Sequence, residues 1–479
     1  MLFNSFSFAI FLPIVFALYW LVPPRLQWVV LLISSYFFYM CWKPEYVLLI
    51  FFTTLISYGG AILIKKRPTK QKLFLTLSLI VSLTVLFFFK YFNFFSSSIT
   101  WGINGLFGAS LDPILINVIL PVGISFYTFQ TLGYVIDVYR GTVEPEYHFG
   151  KYATFISFFP QLVAGPIERT ANLLGQIKAE HSFDYAKASY GARLMLWGYF
   201  KKMVVADNLA VFVDAVYDAP TQHSGFSLIA ATLFFAIQIY CDFSGYSDIA
   251  IGVAKLFEID LMENFKTPYF ATSVKQFWSR WHISLSTWFK DYIYIPLGGN
   301  RVSKIRHKLN LIITFLVSGL WHGASWSFIA WGGIHGVAQA ATACLPKRKE
   351  PKPKKLFLEI LKGLGVFAFV TASWTFFRAQ TLSDAWYILT HGFAGISSPI
   401  SYLRRGLVSM GMGMERFVIC AASIFILFLF EAFSQKRDLI AWLGTRKKAL
   451  SFAVCILAVF IILAWTPIKG NAQFIYFQF

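Results

Sequence analysis

Charge is what this chain has least of. Only 14% of its 479 residues are Asp, Glu, Lys or Arg, against about 25% in an ordinary soluble domain, so water cannot be its main solvent. Acidic residues are scarcer than basic ones, 23 against 42. That excess does not build the continuous, aromatic-interleaved basic face of a nucleic-acid surface. It falls instead into short clusters at 65–72, 304–308, 347–355 and 436–448, the distribution that the positive-inside rule predicts for loops between membrane helices. Cysteine is sparse as well: Cys41, Cys241, Cys344, Cys420 and Cys455 are odd in number and contain no CxxC pair. A disulfide framework and a thiolate metal site are therefore not indicated, and no metal is expected. No basic n-region precedes the apolar stretch 6–22, and no small-residue cleavage site follows it before Pro23, Pro24 and Arg25, so the stretch is expected to remain as a span. A repeat of fixed period is also missing, which weakens an inverted-repeat transporter.

What the chain has is apolar length. Hydrophobic residues make up 57% and aromatics 19%, and runs near spanning length occur at 6–22, 27–42, 45–64, 73–90, 113–135, 151–165, 190–213, 227–258, 308–332, 358–378, 414–433 and 448–465. The expectation is an all-α, polytopic membrane protein with about a dozen helices, forming one domain over 1–479. Segments 151–165 and 190–213 are interrupted by polar residues, glycine or proline, and read equally as tilted, re-entrant or interfacial helices. If cluster 65–72 is cytoplasmic, three preceding spans put the N-terminus outside. The Pro- and Lys-rich stretch 346–355 reads as an exposed loop.

Between about 120 and 340 the character changes. Gln130, Asp137, Arg140, Gln161, Glu168, Arg169, Asp242, Asp248, Arg280, His282, Asp291, His322 and His335 gather between apolar runs, and polar groups at membrane depth usually mark a functional cavity. Segment 276–301, QFWSRWHISLSTWFKDYIYIPLGGNR, is too polar to cross lipid unaided. Trp278, Trp281, Trp288 and Tyr292 mark one side at helical spacing, with His282 in mid-helix and Arg280 and Asp291 elsewhere. It is either a helix packed inside protein beside a water-filled mouth, or an amphipathic helix at the interface with its tryptophans at headgroup depth.

Segment 319–336, GLWHGASWSFIAWGGIHG, flanks His322 with Trp321 and Gly323. Desolvation there would keep the imidazole neutral, the state a general base needs. His335 follows thirteen residues later, about 140° away on an unbroken helix, and reads as a hydrogen-bonded structural residue. In 238–248, QIYCDFSGYSD, Asp242, Ser244, Tyr246 and Asp248 lie in an otherwise apolar span. Buried carboxylates must be paired or protonated, so they either orient a histidine or bind acceptor hydroxyls, or they pair internally with Lys or Arg. The two prolines of 158–169, FFPQLVAGPIER, should break a helix and leave backbone free to line a cavity.

These segments, with MLFNSFSFAIFLPIVFALYW at the start, FYTFQTLGYVIDVYRG, CDFSGYSDIAIG and the terminal FIYFQF, resemble the membrane-bound O-acyltransferase family. The likeness is to its bacterial branch of alginate, exopolysaccharide and cell-wall O-acetylases, and it covers essentially the whole chain. The resemblance implies a ring of 11–12 helices around a polar tunnel in the bacterial cytoplasmic membrane. It gives His322 the place of the family's essential histidine and His282 that of its second functional histidine. Trp278, Arg280, Trp281, Trp288, Asp291, Asn300, Trp321, Asp242, Ser244 and Tyr246 are the expected tunnel or substrate residues. Also implied are acetyl-CoA as co-substrate with no bound cofactor, a polysaccharide acceptor, and an extracytoplasmic partner resembling SGNH hydrolases. Direct transfer is expected, since no Ser or Cys stands in a nucleophile motif. D-alanyl transfer to teichoic acid, whose branch is similar in RWHISLS and WHG, and a glycan-precursor flippase are the alternatives.

Overall fold

The computed structural model describes residues 1–163, 165–343, 356–467 and 474. The expected loop 346–355, the basic cluster 347–355, Cys344 and the terminal motif beyond Phe474 lie outside the described residues. Every regular element among the described residues is helical. Six of these helices are long and apolar enough to span a bilayer: Pro44–Lys66, Pro68–Phe107, Phe226–Leu256, Leu356–Arg378, Met414–Ser434 and Lys448–Trp465. Five leave most of their apolar stretch uncovered, as lipid-facing helices must, whereas 78% of the most apolar 18 residues within Phe226–Leu256 are buried. That helix is the core of its surroundings. The shorter helices Phe6–Leu21 and Gln27–Met40 coincide with the first two expected spans.

By its contacts the chain divides into two compact units, residues 1–192 with 250–262, and residues 193–249 with 263–479. In the first unit two expectations are corrected. Span 73–90 does not end at Lys90: the helix continues through a π-helical turn, Phe87–Tyr91, into Phe92–Phe107. Its run of Ser96, Ser97, Ser98 and Thr100 breaks the apolar length from which the spans are read. Span 113–135 in turn becomes helical only at Ile124. Two asparagines of the preceding helix each hold one later residue through both its backbone groups: Asn93 binds Ile116 at 2.9 Å each way, and Asn104 binds Leu111 at 2.9 and 3.0 Å. With Pro113 and Pro121 unable to donate, the stretch 108–121 is held without regular secondary structure.

The break expected in 158–169 is present, between Phe149–Ser157 and Phe159–Leu162. The Phe159 N–H donates to Ser35 Oγ at 3.0 Å rather than to Phe155. The freed Phe155 carbonyl takes hydrogen bonds from Gln130 and Gln161, 2.8 Å each. These two glutamines therefore satisfy backbone at a helix break. Glu168 beyond the break accepts from the Met262 N–H and from Asn172, and burial pushes its carboxyl up to about 7.

The helix Tyr185–Tyr199, of which residues 193–199 belong to the second unit, runs through a π-helical turn, Phe200–Ala206, into Asp207–Tyr217. From residue 193 this stretch meets Phe226–Leu256 at two glycines. A Cβ on Gly198 would lie 2.6 Å from the Gly245 carbonyl oxygen, and one on Gly245 would lie 2.7 Å from that of Gly198, so only glycine permits this approach. Lys201 and Lys202, on the π-helical turn that follows, face the long helix there. Lys201 pairs with Asp248 at 2.6 Å and donates to Ser244 at 2.9 Å; Lys202 pairs with Asp242 at 2.6 Å and Asp207 at 2.8 Å. Tyr240 donates to Glu431 on Met414–Ser434.

Candidate functional site

The 308–332 stretch is not one helix. Lys304–His322 ends at extended Gly323, and the chain turns back into Trp326–Thr342, whose start is capped by the Ser325 hydroxyl accepting from the Phe328 N–H. The two helices touch at glycines: a Cβ on Gly319 would sit 2.2 Å from the Phe328 carbonyl oxygen, and one on Gly332 2.3 Å from that of Phe315. Small residues here admit the partner helix, and the Phe328 ring closes over Gly323. The hairpin puts His322 at its tip and His335 on the returning arm, so the 140° separation expected on an unbroken helix does not apply. The Trp331 ring packs on both, 5.1 Å from each imidazole.

Segment 276–301 is also broken. Val274–Trp278 stops, residues 279–282 turn, and Ile283–Phe289 begins, followed by a π-helical turn, Lys290–Tyr294. His282 is therefore not in mid-helix. It caps Ile283–Phe289 with left-handed backbone, φ 43° and ψ 55°, a conformation that costs a non-glycine residue about 1–2 kcal/mol and tends to persist at functional sites. Its ring is wholly buried and meets Phe243 of the long helix edge-on at 4.6 Å. Burial pushes the His282 imidazole down to about 3, so it is neutral at physiological pH.

These two breaks bring the histidines together. Their ring centroids are 6.2 Å apart and their planes meet at 54°; a direct N–H···N bond of about 2.9 Å would draw them closer. Trp321 lies 6.0 Å from His282 and 5.0 Å from His322, and Phe377 lies 5.3 Å from His322. His322 is 4% exposed. The pair thus sits in a buried aromatic shell, where electrostatic interactions are stronger than in water.

The remaining expected residues divide. Trp278, Trp281 and Trp288 are buried, at 8%, 1% and 5%, which favours the packed reading over a helix at headgroup depth. Trp281 packs on Phe277 and Trp374, and Trp288 on Tyr292. Trp278 donates to His335 Nδ1 at 3.2 Å, while His335 Nε2 meets Ser373 Oγ at 2.9 Å, the satisfied structural role expected of that histidine. Arg280 is half-buried and donates to the Thr267 carbonyl. Asp291 is half-buried in the π-helical turn, and Asn300 is exposed beyond it. Asp242 and Ser244 are committed to Lys202 and Lys201, so internal pairing is the alternative the geometry favours. Tyr246 packs on Phe474 at 4.5 Å. Sequence reasoning missed Lys201 and Lys202, although a charged pair inside the apolar run 190–213 was the available signal. It also missed Asn264 and Asn310, the latter binding the Leu297 and Gly299 carbonyls at 3.1 Å each. Among the described residues no group of three His, Cys, Asp or Glu could hold a metal.

Residues 144–355 match the model of the membrane-bound O-acyltransferase family. A probable alginate O-acetylase of Pseudomonas aeruginosa is 39% identical, over 84% of this chain and 76% of that protein. A peptidoglycan O-acetyltransferase of Helicobacter pylori is 34% identical, over 100% of this chain and 98% of that protein. A teichoic acid D-alanyltransferase of Streptococcus thermophilus is 30% identical over 56% of this chain. The chain belongs to the membrane-bound O-acyltransferase family and is a multi-pass membrane enzyme, an O-acyltransferase.

Proposed function

We propose that the enzyme moves an acetyl group from acetyl-CoA, entering from the cytoplasm, to a hydroxyl of an extracytoplasmic glycan, from a position in the bacterial cytoplasmic membrane. The supporting observation is the pair of buried imidazoles, His282 and His322, 6.2 Å apart at the meeting of two helix breaks. The His322 imidazole accepts the proton of the acceptor hydroxyl as its oxygen bonds to the thioester carbonyl carbon. The tetrahedral intermediate then collapses, the C–S bond breaks, and the imidazolium returns the proton to the departing thiolate. His282 orients the reacting group, and neighbouring indole N–H groups supply donors for the oxyanion.

The identity to an alginate O-acetylase and a peptidoglycan O-acetyltransferase supports an acetyl donor and a glycan acceptor. The end-to-end match to the latter favours an acceptor in the cell wall. Delivery through an extracytoplasmic protein resembling SGNH hydrolases is part of the same proposal. Because both rings are buried, transfer requires a route for thioester and hydroxyl through the aromatic shell. The test is transfer of radiolabelled acetyl from acetyl-CoA by purified, reconstituted protein. His322→Ala should lower the rate by about 10²–10⁴-fold, the usual worth of a general base, without loss of the fold. Undiminished transfer by a folded His322→Ala variant removes the catalytic assignment.

A further inference from the structure

His282 is held in an unfavourable backbone conformation, and the residues that hold it come from another part of the chain. Segment 264–267 runs beside residues 280–283 and is bonded to it on both sides of the histidine. The Lys266 N–H donates to the Arg280 carbonyl and the Ile283 N–H donates to the Asn264 carbonyl, 2.9 Å each. The Arg280 guanidinium adds a third bond, to the Thr267 carbonyl, at 3.3 Å. The two backbone bonds bracket His282, so the left-handed turn cannot relax without breaking one of them.

Asn264 does more than lend its carbonyl. Its Oδ1 accepts from Ser284 Oγ at 2.6 Å, and its Nδ2 donates to Ser247 Oγ on the long helix at 3.0 Å. All three side chains are buried, at 0–1% exposure, where hydrogen bonds have no competing water. One carboxamide thus joins the helix that begins after His282 to the helix whose Phe243 packs on the His282 ring. Phe265, the next residue, stacks on that ring from another side at 6.5 Å.

We propose that Asn264 is a positioning residue: its carboxamide, held between Ser247 and Ser284, keeps the His282 turn left-handed and so fixes where the His282 imidazole stands relative to His322. The proposal rests on the reading of His282 and His322 as the transfer site. The Asn264 side chain bonds Ser247 and Ser284, and it acts on His282 through the backbone it ties. The carboxamide serves both bonds at once, its oxygen accepting from Ser284 and its nitrogen donating to Ser247, and alanine at this position can make neither.

The experiment compares Asn264→Ala, Ser284→Ala and His282→Ala, singly and with Asn264→Ala combined with His282→Ala, in the reconstituted full chain, measuring acetyl transfer and thermal unfolding. Asn264→Ala is expected to lower kcat by about 10–100-fold with KM nearly unchanged, as loss of alignment does. Ser284→Ala, which removes one hydroxyl and keeps the fold even where the asparagine variant does not, should reproduce a smaller kcat defect. In the His282→Ala background Asn264→Ala should add nothing. Wild-type kcat in a folded Asn264→Ala or Ser284→Ala variant overturns the proposal. So does an Asn264→Ala effect that is the same size with and without His282. Full activity of His282→Ala instead removes the reading on which the proposal rests, a separately visible result.

Discussion

At the residue scale, both ring nitrogens of His335, thirteen positions after His322, are engaged within the protein. The Trp278 N–H occupies His335 Nδ1 as acceptor, so the His335 proton sits on Nε2 and goes to Ser373 Oγ, whose own proton goes to the Val370 carbonyl at 2.7 Å. That chain fixes one neutral tautomer and leaves no nitrogen for substrate. His335→Ala strands the Trp278 donor, and a buried polar group left unpaired costs about 1–3 kcal/mol. The expected outcome is a lower unfolding temperature with little loss of transfer per folded molecule, the reverse of His322→Ala; a collapse of kcat in stable His335→Ala protein counts against the division of roles. The types at both positions were legible in the sequence. Their difference was legible only as a preference, because Ser373 is distant in the chain.

At the scale of elements, the helices follow from apolar length, and their interruptions follow from what packs against them. Lys201 and Lys202 lie in an apolar run and should be costly there, yet they face Asp207, Asp242 and Asp248 because Gly198 and Gly245 let two helices close up and a π-helical turn follows. Buried pairs of this kind contribute little net stability, but removing one partner costs about 3–5 kcal/mol. Lys202→Met should therefore unfold at a markedly lower temperature, and Lys202→Met combined with Asp207→Asn and Asp242→Asn should regain part of the loss. Equal stability of single and triple variants would mean the charges are not the cause. The same logic explains the elements the sequence hid. A serine run interrupted the apolar length of Phe92–Phe107, two asparagines hold the irregular stretch 108–121, and the break at 323–325 interrupted an apolar run where Gly323 and Ser325 were the local signals.

At the scale of the molecule, the solvent is the organising fact. Five spanning helices expose most of their surface to it, and basic clusters lie between spans. Cluster 65–72 separates Pro44–Lys66 from Pro68–Phe107, and the positive-inside rule places it in the cytoplasm. A single cysteine introduced at Thr69 in a cysteine-free background should react with a membrane-impermeant thiol reagent in inverted vesicles and not in intact spheroplasts; the opposite pattern reverses the orientation. Composition alone determined that the chain is a helical membrane protein, since a scarcity of charge and repeated apolar length leave the backbone no other way to satisfy its hydrogen bonds in lipid. The ordered motifs likewise carried the family and named His282 and His322. Tertiary structure decided where helices stop, which carboxylates are consumed by lysines, and that a left-handed turn tied by Asn264 sets two imidazoles 6.2 Å apart. Those outcomes depend on contacts between residues far apart in the chain, which no local pattern encodes.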